Sequence, residues 1–435
     1  MEPDVGVALS HEAYAPDAET PVRAEAERPR PRAATSARPR ASARGGEAGG
    51  VDSGFAAAIA AFAAHGDADA PLAVGAGDIL AAQARLRRFL PVTPLHYAER
   101  FGCWLKLENL QRTGSYKVRG ALNALLAAQE RGDRRPVIAA SAGNHAQGLA
   151  WAAYRLNVPA IAVMPHGAPQ TKIAGVAHWG ATVRLHGNTF DEARAFAMEL
   201  AERNGYRFLS AFDDPDVIAG QGTVGMEIAS LAPDVVLVPI GGGGLAAGVA
   251  LALKSQGVRI VGAQVEHVDA MHRALRGEAD SIDPVATLAD GVRVKQAGLL
   301  TREVLGRLLD DLVIVREAEL RETLVRLALE EHVIAEGAGA LALAAGRRVA
   351  GKRKCAVVSG GNIDATVLAG LLSDIRPRAP RKPRRRGQDA AAASVLPAAT
   401  TAAPTPSART ASASMSAAAP LVANTNGVAK ETRSR

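Results

Sequence analysis

The sequence has few of the features that mark secreted, metal-binding or membrane proteins. Its only two cysteines, Cys103 and Cys355, lie far apart and form no CxxC pair or Cys/His cluster of metal-ligand spacing, which favours a reduced, cytoplasmic setting. Acidic Glu2 and Asp4 open the chain where a secretory signal would have a basic segment, so we expect no such signal. No run of about 18 uncharged apolar residues occurs, so we expect no membrane association.

The positive charge of the chain is concentrated near its C-terminal end. The formal net charge is +7, yet residues 1–70 hold 7 basic and 11 acidic side chains, residues 376–435 hold 11 and 2, and the middle carries only +2. A basic balance attracts polyanions only where it is concentrated. We therefore expect no nucleic-acid binding by the folded part, and we interpret the basic run 376–386 as a solvated tail.

Both ends differ from the centre in composition. Residues 1 to about 50 mix Pro, Ala, Arg and Glu without a helical or strand period, and the residues after about 376 are mainly Ala, Ser, Thr and Pro. Such segments cannot bury enough apolar area to offset the entropy that ordering costs. We predict a disordered N-terminal extension at 1–73 and a disordered, basic, low-complexity tail at 376–435.

Short β-branched runs alternate with alanine-rich segments between these ends. Six runs are typical of buried strands, at 137–140, 160–163, 181–185, 235–238, 259–264 and 355–358. Helical patterns at 145–156, 191–204 and 245–255 separate several of them. Because parallel strands need crossover helices, the pattern predicts an α/β fold with a parallel sheet covered on both faces. Ligand sites of such sheets lie beyond the carboxyl ends of the strands.

Two polar or glycine-rich loops follow predicted strands at that edge. The loop after 137–140 could bind a carboxylate through helix N-terminal N–H groups, although an ordinary turn capped by Ser or Asn is an alternative; it comprises Ser141, Ala142, Gly143, Asn144 and His145. The loop after 355–358 begins with Ser359, whose hydroxyl could face a ring nitrogen. By itself this serine is a weak indication of a ligand site, because serine is common in turns.

A further loop, which follows 235–240, contains four consecutive glycines: Gly241, Gly242, Gly243 and Gly244, followed by Leu245. Four glycines lose much chain entropy on folding, which favours a helix start whose unshielded backbone N–H groups bind a phosphate. The spacing also fits a dinucleotide fingerprint, with Glu266 at the distance of a ribose-binding acid. No Lys-Ser/Thr pair follows, which excludes a Walker loop.

A lysine follows a Gly-Ser-Tyr turn at the start of a helix predicted over 118–129. Lys117 would lie beside the positive end of the helix dipole and near apolar walls, and both disfavour its charged form. A neutral amine can attack a carbonyl and form an imine. A lone lysine is usually a surface charge, so the surrounding residues decide its interpretation.

The string 111–121, Gln-Arg-Thr-Gly-Ser-Tyr-Lys-Val-Arg-Gly-Ala, resembles the lysine motif of the serine/threonine dehydratase family of fold type II pyridoxal phosphate enzymes. Further segments resemble the family in the same order between about residues 90 and 365, at 93–95, 141–147, 164–165, 168–173, 190–193, 212–222, 239–248, 287–291, 336–340 and 359–364. The likeness is greatest to threonine dehydratases of the short, catabolic type.

The resemblance implies a tryptophan synthase β-like fold, in which two open α/β domains hold the cofactor in the cleft between them. The large, cofactor-binding domain would comprise 74–135 and 214–375, and the small domain 136–213. Because only a low-complexity tail follows residue 375, we expect no C-terminal regulatory domain that binds branched amino acids.

The resemblance also implies a role for each matched residue. Lys117 would hold pyridoxal 5′-phosphate as a Schiff base and take the α-proton of the substrate, and Tyr116, where the family usually has Phe, would stack beside the ring. Asn144 would contact the ring hydroxyl, Ser359 the ring nitrogen, and the glycine loop the phosphate. The substrate carboxylate would bind the loop 141–145, and Glu336 would border the pocket.

Two positions depart from the family pattern. In serine racemases of this family, a serine at the position of Ala142 acts as the base on the opposite face, so we expect weak racemisation. In some relatives a divalent-cation site begins with Glu where this chain has Gln264, although Glu266 could compensate if the alignment shifts. We therefore expect no metal.

The resemblance thus implies a homo-oligomeric threonine ammonia-lyase that converts L-threonine to 2-oxobutanoate and ammonia. L-serine should react as well, because one methyl group discriminates by only about 1–3 kcal/mol. Serine dehydratase or racemase and hydroxyaspartate dehydratase are alternatives within the family. A dinucleotide-dependent oxidoreductase would use the glycine loop but leave Lys117 and Ser359 without roles, and a non-catalytic protein would bind through its basic tail.

Overall fold

Ten strands form two sheets in the computed structural model, which describes residues 71–374. The tail predicted at 376–435, and the N-terminal extension predicted at 1–73 apart from its last three residues, lie outside this range. The strands are β1 Leu95–Ala98, β2 Cys103–Leu107, β3 Val137–Ala140, β4 Ala160–Met164, β5 Thr182–Leu185, β6 Arg207–Phe208, β7 Val235–Pro239, β8 Arg259–Val265, β9 Asp311–Val315 and β10 Lys354–Val358.

Twelve α-helices connect and cover these strands within the described residues. They are α1 Ala76–Leu86, α2 Lys117–Glu130, α3 Asn144–Leu156, α4 Gln170–Ala177, α5 Phe190–Asn204, α6 Pro215–Ile228, α7 Gly244–Leu253, α8 Ala270–Leu275, α9 Leu299–Leu308, α10 Glu317–Glu330, α11 Gly337–Ala345 and α12 Ala365–Ser373. None of the helices in this part of the chain is long and apolar enough to cross a membrane.

Local sequence signals set several helix ends. The α5 helix begins with a capping box in which the Thr189 hydroxyl accepts from the Glu192 N–H, and it ends at Gly205 in the left-handed conformation. The Asp214 side chain caps α6, whose first residue is Pro215. These signals explain why the helix predicted at 191–204 matches α5 so closely.

The smaller sheet is entirely parallel, with the strand order β5-β4-β3-β6. Successive residues of β3 face opposite sides, as the period of two in a strand requires. Val137 and Ala139 pack in the core with α2 and α3, whereas Ile138 and Ala140 pack against α5. Helices therefore cover both faces, which is why these strands contain continuous apolar runs.

The larger sheet has the order β1-β2-β10-β7-β8-β9, and it is parallel except for β1, which pairs antiparallel with β2. Its central strand β7 is buried on both faces: Val236 and Val238 pack with α6 and α7, and Val235 and Leu237 pack with α11. The sheet thus divides two helical layers, and the loops after β7 and β10 leave it at the same edge.

All six predicted strands are present, each within one residue of its expected ends. Four strands were not predicted: β1, β2, β6 and β9. The simple expectation of a parallel sheet needs correction at β1, whose antiparallel pairing follows from the short turn between β1 and β2. The division into a small domain at 136–213 and a large domain at 74–135 and 214–375 stays a prediction, although the small sheet falls within 137–208.

Candidate active site

The turn that opens α2 is bound to the loop that follows β10. The backbone N–H of Tyr116 donates to Ser359 O at 3.1 Å, and the N–H of Gly361 donates to Gly114 O at 2.9 Å. Gly114 has a φ of +70°, and a Cβ there would overlap the Asn362 side chain, so this close approach requires glycine. The two loops therefore form one packed unit.

Lys117 is the first residue of α2, directly after this turn, and its side chain is half-buried. Its Nζ donates to Ala211 O at 2.9 Å and lies 5.2 Å from the centroid of the Tyr116 ring. Burial lowers the pKa of Lys117 to about 8, and the nearby Glu336 charge opposes this shift only in part. The uncharged fraction of the amine near neutral pH is therefore larger than that of an ordinary lysine, although the protonated form still predominates.

The glycine loop after β7 presents unpartnered backbone N–H groups. Gly243 has a φ of +101°, and a Cβ on Gly242 would overlap the Phe212 ring. The Thr301 hydroxyl donates to Gly242 O at 2.5 Å, which holds that carbonyl. Among the described residues, the N–H groups of 241–246 donate to no protein acceptor. An uncapped helix start of this kind fits a phosphate group.

Ser359, which follows β10, is buried, and its backbone carbonyl accepts the hydrogen bond from the α2 turn. Its Oγ donates to Ala338 O at 3.3 Å, a long hydrogen bond. The side chain is neutral, so it can pair with a ring nitrogen without fixing a proton there. This arrangement fits a pyridine ring but leaves the predicted role of Ser359 a prediction.

The loop 141–145 leads from β3 into α3 without a side-chain cap. The Ser141 Oγ accepts from the Gly143 N–H at 3.2 Å, and Gly143 is the N-cap residue. The capped turn considered from the sequence is therefore wrong in its detail, because neither Ser141 nor Asn144 caps the helix. The uncapped first turn fits a carboxylate, and the substrate-binding roles of Ser141, Ala142, Gly143, Asn144 and His145 stay predictions.

His145, the last residue of this loop, is buried, and its Nε2 lies 3.3 Å from Leu209 O. Burial lowers the pKa of His145 to about 3, and the Lys117 charge acts in the same direction. The ring is therefore neutral, with a proton on the nitrogen that donates to the carbonyl. Its Nδ1 has no hydrogen-bond partner among the described residues, which leaves one buried acceptor available.

Asn144, at the start of α3, connects the loop after β3 of the smaller sheet to two residues next to the larger sheet, Glu336 and Asn362. Its Nδ2 donates to Glu336 Oε1 at 2.6 Å, and its Oδ1 accepts from Asn362 Nδ2 at 2.8 Å. Asn362 Nδ2 also donates to Thr113 O at 2.8 Å. The side chain predicted to contact the cofactor ring thus lies between a carboxylate and a second amide, and the sequence did not single out Asn362.

Glu336 lies at the N-terminus of α11, and its carboxyl group is buried against Gly360, in the loop that follows β10. Its backbone N–H donates to Gly360 O at 3.0 Å. Burial raises the pKa of Glu336 to about 7, and the Asp290 charge raises it further, while the Asn144 hydrogen bond and nearby lysines oppose the shift. The predicted pocket residue therefore lies in contact with a predicted cofactor ligand.

Four buried or nearly buried side chains, two positive and two negative, pair with one another at the start of α2. We call them the buried ion network: Lys106, Glu108, Arg119 and Glu227. Arg119 binds Glu108 through two hydrogen bonds of 2.7 and 2.8 Å and Glu227 through two of 2.7 and 2.9 Å. Lys106 Nζ donates to Glu227 Oε2 and to Thr93 O, both at 2.6 Å. Its one sequence signal is charge at 106 and 108, inside an otherwise apolar run.

The residues considered for a cation or a ribose have other partners. Gln264 donates to Ile240 O at 3.2 Å and accepts from the His272 N–H at 2.9 Å. Glu266 accepts from the Glu317 N–H at 2.8 Å, at the start of α10. Within residues 71–374, no group of three His, Cys, Asp or Glu side chains could hold a metal ion. The acid of the dinucleotide alternative therefore binds the first N–H group of α10 through one of its oxygens.

Comparison with known proteins shows the family of this chain. The family model described as pyridoxal-phosphate dependent enzyme matches residues 86–361. The chain is 44% identical to an L-threonine ammonia-lyase of Thermotoga maritima over 310 residues, which cover 68% of this chain and 77% of that protein.

Two solved structures are similar in fold. Threonine deaminase isoform 2 of Solanum lycopersicum has a TM-score of 0.64 and 35% identity, covering 70% of this chain and 91% of that one. A pyridoxal 5′-phosphate-dependent aspartate racemase has a TM-score of 0.65 and 30% identity, covering 68% and 98%. The resemblance and the fold class inferred from the motifs are confirmed, and the chain belongs to the family of pyridoxal-phosphate dependent enzymes.

Proposed function

We propose that this chain is a threonine ammonia-lyase, which eliminates water from L-threonine and lets water hydrolyse the resulting imine, so that the net products are 2-oxobutanoate and ammonia. The observation that carries the proposal is the half-buried amine of Lys117 at the start of α2, whose pKa burial lowers to about 8. The name of the 44% identical relative supports the choice of substrate. L-serine is the expected second substrate, since it lacks only a methyl group.

The cofactor, when bound, supplies an electron sink for the charge that develops at the substrate Cα. The unpartnered N–H groups of 241–245 would hold its phosphate, and Asn144 and Ser359 would contact its ring hydroxyl and ring nitrogen. Tyr116 would lie beside the ring. The glycines that a Cβ would disrupt and the helix start without a side-chain cap support this assignment.

Lys117 would hold the cofactor covalently until the substrate amine displaces it, and the freed Nζ would then take the α-proton of the substrate. Because the carbonyl of Ala211 accepts from Nζ, the amine is held in one place, and a general base must lie within hydrogen-bond reach of its proton. Its lowered pKa keeps an uncharged fraction available near neutral pH. Position and protonation state therefore both suit a base.

The substrate carboxylate would bind the start of α3 through backbone dipoles. His145 is neutral, so it offers no positive charge, and the N–H groups of the uncapped first turn are the available donors. Ser359 likewise leaves the ring nitrogen without a carboxylate partner. A ring that need not stay protonated favours β-elimination over transamination.

A racemase is the second candidate, because a structural neighbour is an aspartate racemase. Racemisation needs a second base on the opposite face of the substrate, and the loop 141–145 has the methyl group of Ala142 where serine racemases of this family have a hydroxyl. We therefore propose that elimination exceeds racemisation. Chiral analysis of recovered serine tests this directly.

The test of function is release of 2-oxo acid by the purified, cofactor-loaded, full-length chain. L-threonine, L-serine, D-serine and hydroxyaspartate are compared as substrates, with Lys117→Ala as the inactive variant. Lys295→Ala is the matched control, since Lys295 is exposed and pairs only loosely with Asp283 at 3.6 Å. Threonine should be the best substrate and Lys117→Ala should be inactive, whereas release of 2-oxo acid by Lys117→Ala would overturn the proposal.

We also propose that the chain is cytoplasmic and forms a homo-oligomer. We further propose that its N-terminal and C-terminal extensions are dispensable for turnover. Its two free, buried cysteines support a reducing compartment. Analytical ultracentrifugation of the full chain measures the assembly, and a monomer would contradict that part. Deletion of 376–435 should leave turnover intact.

A further inference from the structure

The side-chain amide of Asn144 is held at both ends. Its oxygen accepts from Asn362 Nδ2 at 2.8 Å, and its nitrogen donates to Glu336 Oε1 at 2.6 Å. An amide nitrogen has two N–H groups, so one donor of Asn144 remains. If the amide were rotated by 180°, it would present its oxygen to the cofactor ring instead of this N–H group, so the function of Asn144 depends on a contact that fixes the orientation.

The backbone carbonyl of Thr113 fixes this orientation through Asn362. Thr113 O can only accept, so the atom of Asn362 that contacts it at 2.8 Å must be the amide nitrogen. The second N–H of this nitrogen reaches Asn144, so the atom of Asn144 that faces it must be oxygen. The nitrogen of Asn144 then faces Glu336, which accepts when ionised. The Thr113 carbonyl therefore specifies this orientation, and an ionised Glu336 is consistent with it.

Asn362 is itself fixed by the turn that carries the lysine. Its side chain occupies the space over Gly114, where a Cβ would overlap it. The Gly361 N–H donates to the carbonyl of the same Gly114 at 2.9 Å. Asn362 therefore cannot rotate independently of the turn that opens α2.

We propose that Asn362 is a positioning residue of the active site, which orients Asn144 so that an N–H donor and not a carbonyl oxygen is available to the cofactor ring. This inference rests on the proposed function, in which Asn144 contacts the ring hydroxyl. A donor at that oxygen stabilises its ionised form, and the ionised form absorbs at longer wavelength. Asn362 thereby acts through Asn144 without touching the cofactor.

Asn362→Asp is the sharpest test, because it keeps the shape and removes the donor. An aspartate would present oxygen to Thr113 O and to Asn144, so the Asn144 amide would turn its nitrogen toward residue 362. We expect the ratio of long-wavelength to short-wavelength cofactor absorbance to fall about tenfold, the effect of losing one hydrogen bond to a charged group. Asn362→Ala, which frees the Asn144 amide without reversing it, should lower the ratio less, roughly twofold.

Asn109→Ala is the matched control. Asn109 Nδ2 donates to Ile334 O at 2.9 Å, and the side chain packs near the same loop at Gly361. It makes no hydrogen bond to Asn144, so its removal costs a similar loop contact and should leave the absorbance ratio unchanged. The ratio, the pH at which it changes, kcat and KM are measured for all variants in the cofactor-loaded full-length chain.

A reduced ratio in both Asn362 variants, with the control unchanged, supports the inference. If either Asn362 variant binds cofactor and keeps the original ratio, the inference is overturned while the proposed function is untouched. Should Asn362→Asp fail to fold, Asn362→Ala decides. An original chain without any cofactor band would overturn the proposed function, and this inference with it.

Discussion

Two groups of buried ionisable side chains lie next to the first turn of α2, and they differ in how their charges are compensated. In the buried ion network, Arg119 has carboxylates on both sides and shares one of them, Glu227, with Lys106, at distances of 2.6 to 2.9 Å. At the candidate active site, Lys117 donates to a carbonyl and Glu336 accepts from an amide. Lys117 and Arg119 are two residues apart, hence about 200° apart around the helix axis.

The pKa shifts follow from this difference. Burial alone would lower the pKa of Arg119, but Glu108 and Glu227 outweigh it and raise the pKa; likewise Arg119 and Lys106 hold the pKa of Glu227 low against burial. At the candidate active site, burial prevails, so the pKa of Lys117 falls and that of Glu336 rises. Paired charges stay charged and support the helix, whereas unpaired groups shift toward neutral forms that can exchange protons.

The largest expected effect is the loss of turnover on substitution of Lys117, which belongs to the candidate active site and not to the buried ion network. Lys117→Met keeps an apolar stem of similar size but removes the amine, so turnover should fall at least about a thousandfold. The free energy of unfolding should not fall, because an amine without a carboxylate partner is removed from a buried site. Turnover assays and chemical denaturation check both parts. A variant that keeps a tenth of the original turnover, or that unfolds far more easily, would contradict this account.

At Arg119, two residues further along α2, we expect a loss of stability as the main effect. Arg119→Met leaves Glu108 and Glu227 buried without their main partner, so the free energy of unfolding should fall by about 3–5 kcal/mol. Arg131→Met is the control: Arg131 pairs with Asp216 at 2.6 Å but is exposed, so its loss should cost about 0–1 kcal/mol. Equal effects of the two substitutions in chemical denaturation would erase the contrast.

The third effect concerns the pH dependence of stability. Because the pKa of Glu336 is raised to about 7, the folded chain binds a proton here more tightly than the unfolded chain does, and stability from this group is lost as pH rises through its folded pKa. Relative to Glu336→Gln, the original chain should lose up to roughly 3 kcal/mol between acidic and neutral pH. Denaturation of both proteins without cofactor measures this, and a pH-independent difference would refute it.

The smallest effect concerns cofactor capture. The uncharged fraction of Lys117 increases through about pH 8, so the rate of covalent cofactor binding should rise through that pH and level off above it. Glu336→Gln removes a negative charge that favours the protonated lysine, so it should lower this midpoint by at most about one pH unit. Stopped-flow absorbance of the cofactor-free chain provides the rates. An upward shift in the variant would contradict the assigned coupling.

The sequence predicted those parts of the site that depend on local patterns. Buried strands gave continuous β-branched runs, and the position of Lys117 at a helix start followed from the turn before it. The glycine loop was recognisable because four glycines have few structural uses other than close approach to a ligand. Its predicted place at the carboxyl end of β7 agrees with the structure.

The parts that the sequence did not predict depend on distant partners. Arg119 and Glu227 are 108 residues apart, and Asn144 and Asn362 are 218 apart. A charge such as Lys106 inside a strand argues against burial until its carboxylate partner is known, and this explains why β2 was not predicted. The orientation of Asn144 likewise requires a backbone carbonyl from a third segment.

The most direct measurement of the central claim is borohydride reduction of the cofactor-loaded chain, followed by peptide mass spectrometry. The account predicts loss of the long-wavelength absorbance and one reduced cofactor per chain, attached to the peptide that contains Lys117. An adduct on another lysine, or no adduct in a chain that still turns over threonine, would contradict it.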